Sequence, residues 1–195
     1  MRPNPFDDAM AFMTAPGWFT PVFWALLVAS AVIAAATCWR SPAQRTGHAA
    51  GIWFLRVLVG AMWWQQSLWK IPPDFGGLRH WMEEEAAHAA ILLQGDLVRD
   101  VVLPHLEVFG PLVYGWEVAV AVSLLLGVFS RIGALLGLLM AGNLWLGLYS
   151  APNEWPWTYV FLMVIQGLFV LDPPGRCWGV DALWRRGRNF SPAQA

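Results

Sequence analysis

The chain has 195 residues, of which 57% are hydrophobic and 13% charged, and it carries 14 tryptophans. Soluble domains are about a quarter charged, so this composition, with a mean hydropathy of +0.48, points to an integral membrane protein. A net charge of −1 leaves few cations to neutralise phosphates and argues against a nucleic-acid partner.

An apolar run of about 20 residues crosses the roughly 30 Å hydrocarbon layer as a helix, and five stretches qualify. The first, 18–38, lies in an N-terminal segment, 1–49, which is a poor signal peptide. Arg2 is followed by Asp7 and Asp8, and the apolar run is too long. The second, 50–69, carries Arg56 early, Gln65 and Gln66 late, and Lys70 just beyond its end. "PPDFGG" then breaks the helix. In 71–110, Leu78, Trp81 or Met82, Ala86, Ala89 and Leu93 recur at helical spacing, predicting an amphipathic helix on the outer surface. "VRDVVLPHLEVFG" predicts a second short element bent at Pro104, and the two together would form a cap. The third and fourth runs, 111–129 and 131–150, are close enough to force a tight antiparallel hairpin. The fifth, 156–171, is short, and a polar tail follows from 186 to 195. Transmembrane barrels need alternating segments of about ten residues, which these runs are not. The expected fold is therefore all-α: a bundle of four transmembrane helices within 50–185, one extra N-terminal transmembrane helix, and an outer cap.

Lysine and arginine accumulate on the cytoplasmic side of membrane proteins. With the N-terminus outside, inner segments hold Arg40, Arg45, Arg131, Arg176, Arg185, Arg186 and Arg188, against Arg2, Lys70, Arg79 and Arg99 outside. The expected orientation is N-terminus outside and C-terminus cytoplasmic.

Ionisable groups inside a span are costly and usually face the bundle interior. At about 1.5 Å of rise per residue, Glu117 and Asn143 fall in the outer half with Gln65, Gln66 and Lys70. Arg56 and Gln166 fall in the inner half with Arg131. The same arithmetic separates Arg56 from Glu117 by roughly 12 Å along the axis; a direct pair between them and membership of two distinct layers both remain open. Each residue also has a structural reading: Arg56 snorkelling to the headgroups, Lys70 anchoring at the interface, and the amides joining helices. Glu117, with its short side chain, must be paired, protonated or facing a hydrated cavity.

His80, Glu84 and His88 share one helical face and are weak metal candidates, because no fourth ligand is evident. No haem or resident metal is expected. Cys38 and Cys177 form no CxxC and read as two free thiols.

"LRVLVGAMWWQQSLWK" (55–70), "GWEVAVAVSLLLGVFSRIGALLGLLM" (115–140) and "PPGRCWGVDAL" (173–183) resemble the DoxX/DoxD family of small prokaryotic membrane proteins. The residues that carry the resemblance are Arg56, Gly60, Lys70, Glu117, Gly127, Arg131, Arg176, Gly179 and Asp181. The resemblance implies a four-helix core with both ends cytoplasmic; the run at 18–38 is a departure from it. It also implies a membrane subunit of a quinone-linked, thiosulfate:quinone-like oxidoreductase, with quinone as cofactor and electrons arriving from a partner subunit. The polar residues Glu117, Asn143, Gln65, Gln66, Lys70, Arg56 and Gln166 are then candidates for holding a quinone headgroup. The alternative is a structural accessory subunit that stabilises a larger membrane complex.

Overall fold

A computed structural model describes residues 4–71 and 75–188. Apart from turns, these are helical, and no strand occurs among the described residues. In chain order the helices are α1 (Pro5–Thr14), α2 (Phe19–Arg40), α3 (Gly47–Leu68), α4 (Gly76–His88), α5 (Leu92–Leu97), α6 (Leu106–Leu126), α7 (Ser130–Gly147), α8 (Pro156–Leu171) and α9 (Val180–Arg188). Among the described residues, two helices are long and apolar enough to cross a membrane: α2, and the continuous run Leu92–Leu126 that ends in α6. The proline break at 72–74 and the tail beyond 188 lie outside the described residues.

Local chemistry sets several boundaries. Thr46 starts α3 by accepting a hydrogen bond from the Ala49 amide at 3.1 Å, the usual role of a threonine N-cap. Gly127 ends α6 in the left-handed region, with φ of 67°. A Cβ there would also lie 2.7 Å from Arg56 Nη1 and 2.8 Å from the Gly179 Cα, so both the backbone and the space require glycine.

The helices α3, α6, α7 and α8 pack as a bundle, with α2 laid against α6 and α3. Its core draws Phe23 from α2, Val59, Trp63 and Trp64 from α3, Val120, Ala121, Leu124 and Leu125 from α6, Ala134 from α7 and Phe169 from α8. Gly60 lets α3 approach α6 closely: a Cβ at this position would lie 2.9 Å from the Leu125 amide nitrogen.

Three elements differ from the expectation. The helix α1 was not foreseen; it folds back on α2 through Phe12 against Phe23, with ring centroids 5.1 Å apart, and the Trp24 indole donates to the Met13 carbonyl. The third apolar run begins earlier than 111, because α5 passes through a wide π turn (Val98–Val102) and a 3-10 turn (Leu103–His105) directly into α6. Pro104 therefore sits in a change of helical pitch, not in a break. Finally, α4 stops at His88, so Leu93 lies on α5 and is 77% exposed instead of continuing the stripe.

The stripe on α4 otherwise buries Leu78 and Met82 against Phe75, Val98 and Leu106, a second small core. That core holds α4, α5 and the π turn as a cap across one end of the bundle.

Candidate functional site

A cavity of about 700 Å³ lies between the cap and the bundle, lined by α4, α5, α6, α7 and the start of α8 and by the C-terminal end of α3. Its size falls within the usual range for small-molecule sites, and its wall is predominantly apolar. Trp69, Trp81, Phe109, Trp116 and Tyr159 supply aromatic surface, and Lys70, Glu117, Glu85, Gln94, Asn143 and Gln66 supply polar groups.

The central polar feature is an ion pair. Lys70 follows the last turn of α3, and its ammonium donates to Glu117 Oε1 on α6. Both side chains are buried, at 5% and 1% exposure. Lys70 Nζ also lies 4.3 Å from the centroid of the Trp69 ring, a cation–π contact. The second carboxylate oxygen, Glu117 Oε2, is buried and has no hydrogen-bond partner among the described residues. A buried acceptor left in that state costs free energy.

Glu85 forms a second pole. It lies on the buried face of α4, 2% exposed, and its Oε1 accepts from Gln94 Nε2 at 2.7 Å and Asn143 Nδ2 at 3.2 Å. Burial pushes its carboxyl above the usual carboxylate range, against the opposing pull of the two amide donors and of Lys70. At the rim, the Tyr159 hydroxyl donates to Glu154 Oε2 at 2.9 Å.

The sequence candidates separate accordingly. Lys70, Glu117, Asn143 and Gln66 line the cavity; the Gln66 side-chain oxygen accepts from the Trp69 indole at 3.0 Å. Gln65 and Gln66 are both exposed, but only Gln66 lines the cavity, because adjacent helical residues point about 100° apart. Arg56 and Glu117 do not pair. Arg56, 0% exposed, donates to the carbonyls of Leu124 and Leu125 at the C-terminal end of α6, and at 3.4 Å to that of Trp178. Leu124 is seven residues beyond Glu117, about 11 Å along α6, so the guanidinium neutralises a helix terminus and lies away from the cavity. Gln166 is fully buried against Gly137, with both amide atoms unpartnered among the described residues, between α7 and α8 and outside the cavity. Arg131 donates to the Val170 carbonyl at 2.9 Å.

The weak metal candidates do not converge. His88 Nδ1 lies 3.2 Å from Glu84 Oε2, while the His80 ring packs on Trp81. No group of three or more metal-ligating side chains is assembled among the described residues. Cys38 and Cys177 are free and half-buried.

Sequence reasoning missed Glu85 and Gln94. The signal for Glu85 was present: Leu78, Met82 and Glu85 stand at i, i+4 and i+7, so a carboxylate occupies a position of the apolar stripe. Gln94 had no such mark.

Arg56 belongs instead to a clasp at the far end of the bundle. Asp181, on α9, accepts from the amides of Phe129 and Ser130 at 2.8 and 2.9 Å and from the Ser130 hydroxyl at 2.6 Å, capping the N-terminus of α7. The Gly175 amide donates to Ser130 Oγ, and the Asp181 amide donates to the Gly127 carbonyl. The clasp gathers Arg56, Gly127, Gly179 and Asp181. The chain matches no protein-family model, no curated protein and no solved structure.

Proposed function

We propose that the chain is a multi-pass helical membrane protein of DoxX/DoxD type, whose cap-side cavity takes the headgroup of a membrane quinone. On this reading, α3, α6, α7 and α8 form the four-helix core, α2 is the added span, and the cap lies on the outer face of a bacterial inner membrane. The distribution of polarity supports the membrane assignment. Arg56, Lys70, Glu85, Glu117 and Gln166 are buried, whereas Val32, Phe54, Val108, Ile132 and Leu168, on five helices and outside the cavity lining, are exposed, each at 55% or more. A chain that turns charge inward and aliphatic surface outward suits hydrocarbon as its solvent.

The observation that carries the quinone reading is the buried Lys70–Glu117 pair, with its unpartnered Oε2, in the wall of an apolar, tryptophan-lined cavity. The residues fit a flat molecule with polar oxygens. The Lys70 ammonium can donate to a carbonyl oxygen, Glu117 can hold or release a proton, and the Asn143 amide has one N–H beyond the bond it gives Glu85. The tryptophan faces can stack on the ring. A bound quinone supplies two-electron, two-proton chemistry; this chain positions the ring and handles protons at Glu117, while a partner subunit delivers electrons.

The exposed Ile91, Leu92 and Leu93 at the α4–α5 turn favour a second reading, in which the cap docks a larger complex as a structural accessory. Titration of the reconstituted protein with decylubiquinone and with a short-chain menaquinone separates the two, because Trp69, Trp81 and Trp116 line the cavity and report on it. Saturable quenching that is lost in Glu117→Gln, with helicity unchanged, supports the quinone site. Quenching that never saturates refutes it and leaves the accessory reading.

A further inference from the structure

We infer that the cap-side cavity opens sideways into the bilayer between α6 and α7, and that this gap holds the aliphatic tail of the ligand. The ligand class is then a quinone with a single alkyl or isoprenoid tail that enters from lipid. The inference deepens the quinone reading and rests on it.

Polar and apolar surfaces are segregated within the cavity. Lys70, Glu85 and Glu117 are at most 4% exposed, whereas the apolar lining residues Leu97 on α5, Leu112 and Trp116 on α6 and Leu139 on α7 are each 37% exposed or more. A side chain that lines a cavity and remains this exposed stands at its mouth. Glu117 and Trp116 are adjacent on α6 and point about 100° apart, so the ion pair faces the core while the indole faces the gap. The exposed polar residues of the lining, Gln66, Asn143 and Thr158, lie within about a turn of the cap-side ends of α3, α7 and α8. Trp116 and Leu139 lie about two turns or more from the cap-side ends of α6 and α7. The polar part of the mouth therefore faces the interface, and the apolar part faces hydrocarbon.

The gap has a sill and a track. The Trp116 indole donates to the Leu136 carbonyl at 3.1 Å, so its ring spans from α6 to α7 and closes the gap on the side of their connecting turn. Beyond it, Ile132, Leu135 and Leu139 stand at i, i+3 and i+7 on one exposed face of α7, an aliphatic track of about 10 Å. A tail leaving over Trp116 onto this track stays in apolar surroundings along its length. Sending the tail toward water instead would weaken binding about fourfold per exposed methylene.

The test titrates the full chain in nanodiscs with decylubiquinone and with the tail-less ubiquinone-0, following tryptophan quenching. Leu112→Trp and Leu139→Trp narrow the gap from either side, and Phe54→Trp adds bulk to the exposed face of α3 outside the cavity. Each comparison sets a variant against wild type for one ligand, so the tail's own partitioning into lipid cancels. Both gap variants should bind decylubiquinone about tenfold more weakly and ubiquinone-0 within about twofold of wild type, because the added bulk obstructs only the tail. Retained ubiquinone-0 binding also shows that each variant is folded. Phe54→Trp should match wild type with both ligands. Equal losses for the two quinones, or the same tail-selective loss in Phe54→Trp, overturn the inference. No tail-selective loss in either gap variant also overturns it, and leaves the gap to a bilayer acyl chain. A wild type that binds ubiquinone-0 and rejects decylubiquinone keeps the headgroup site and overturns the gap. Saturable binding of neither quinone refutes the quinone reading itself, and the inference with it.

Discussion

The Lys70–Glu117 pair allows a decisive perturbation. In Lys70→Met, Glu117 stays 1% exposed, and its Oε1 loses its ammonium donor while Oε2 already lacks a partner. A charge stranded in this way costs about 3–5 kcal/mol, whereas replacing both members with apolar residues of similar volume is close to neutral. The single variant should therefore be strongly destabilised and Lys70→Met/Glu117→Leu largely restored, a non-additivity of at least about 3 kcal/mol, at or beyond the top of the range of about 0.5–3 kcal/mol seen for contacting residues. Chemical unfolding in mixed micelles, followed by far-ultraviolet circular dichroism for wild type, both singles and the double, measures it. If Lys70→Met costs under about 1 kcal/mol, the pair behaves as an exposed surface bridge and the buried geometry is wrong. If the double variant loses the sum of the singles, the two residues are not coupled and the reasoning fails.

The clasp gives a second expectation: Asp181→Ala should cost about 1–2 kcal/mol by removing the cap of α7, and Asp181→Asn less, as read in the same unfolding assay. Arg56→Lys should fail to restore what Arg56→Met loses, about 1.5–3 kcal/mol for hydrogen bonds to a charged group. One ammonium cannot reproduce the guanidinium fork that spans the Leu124, Leu125 and Trp178 carbonyls. Glu85 makes a pH prediction. Burial raises its folded carboxyl above the unfolded value, so the folded state binds more protons than the unfolded state over the window between the two. Stability then falls as pH rises through that window and levels off above it. Glu85→Gln should flatten the profile, and a wild-type profile that rises with pH across the same window would count against a buried, desolvated Glu85. Gly60→Ala should cost about 1–3 kcal/mol through overpacking against Leu125, measured by the same unfolding.

Much of this was legible along the chain because each residue's partition between apolar and polar surroundings is a local property. The five apolar runs all fall on helices, and the stripe through Leu78 and Met82 correctly identified the buried face of α4. Axial depth was legible too. A fixed rise per residue put Glu117 in the outer half, in one layer with Lys70, and Arg56 roughly 12 Å away, and in the structure Arg56 bonds near Leu124 and not near Glu117.

What the chain could not disclose is azimuth and partnership across distant segments. Gln65 and Gln66 are chemically identical and adjacent, yet packing turns only one toward the cavity. Lys70 and Glu117 are 47 positions apart, and Gln94 and Asn143 are 49 apart; nothing local links either pair. Their meeting depends on how closely α3 can approach α6 at Gly60, and on where the π turn swings the cap across the bundle. Periodicity expresses which face of a helix avoids water. The rotation and register of one helix against another come from interlocking side chains contributed by remote parts of the chain, and the cavity exists only once those are set.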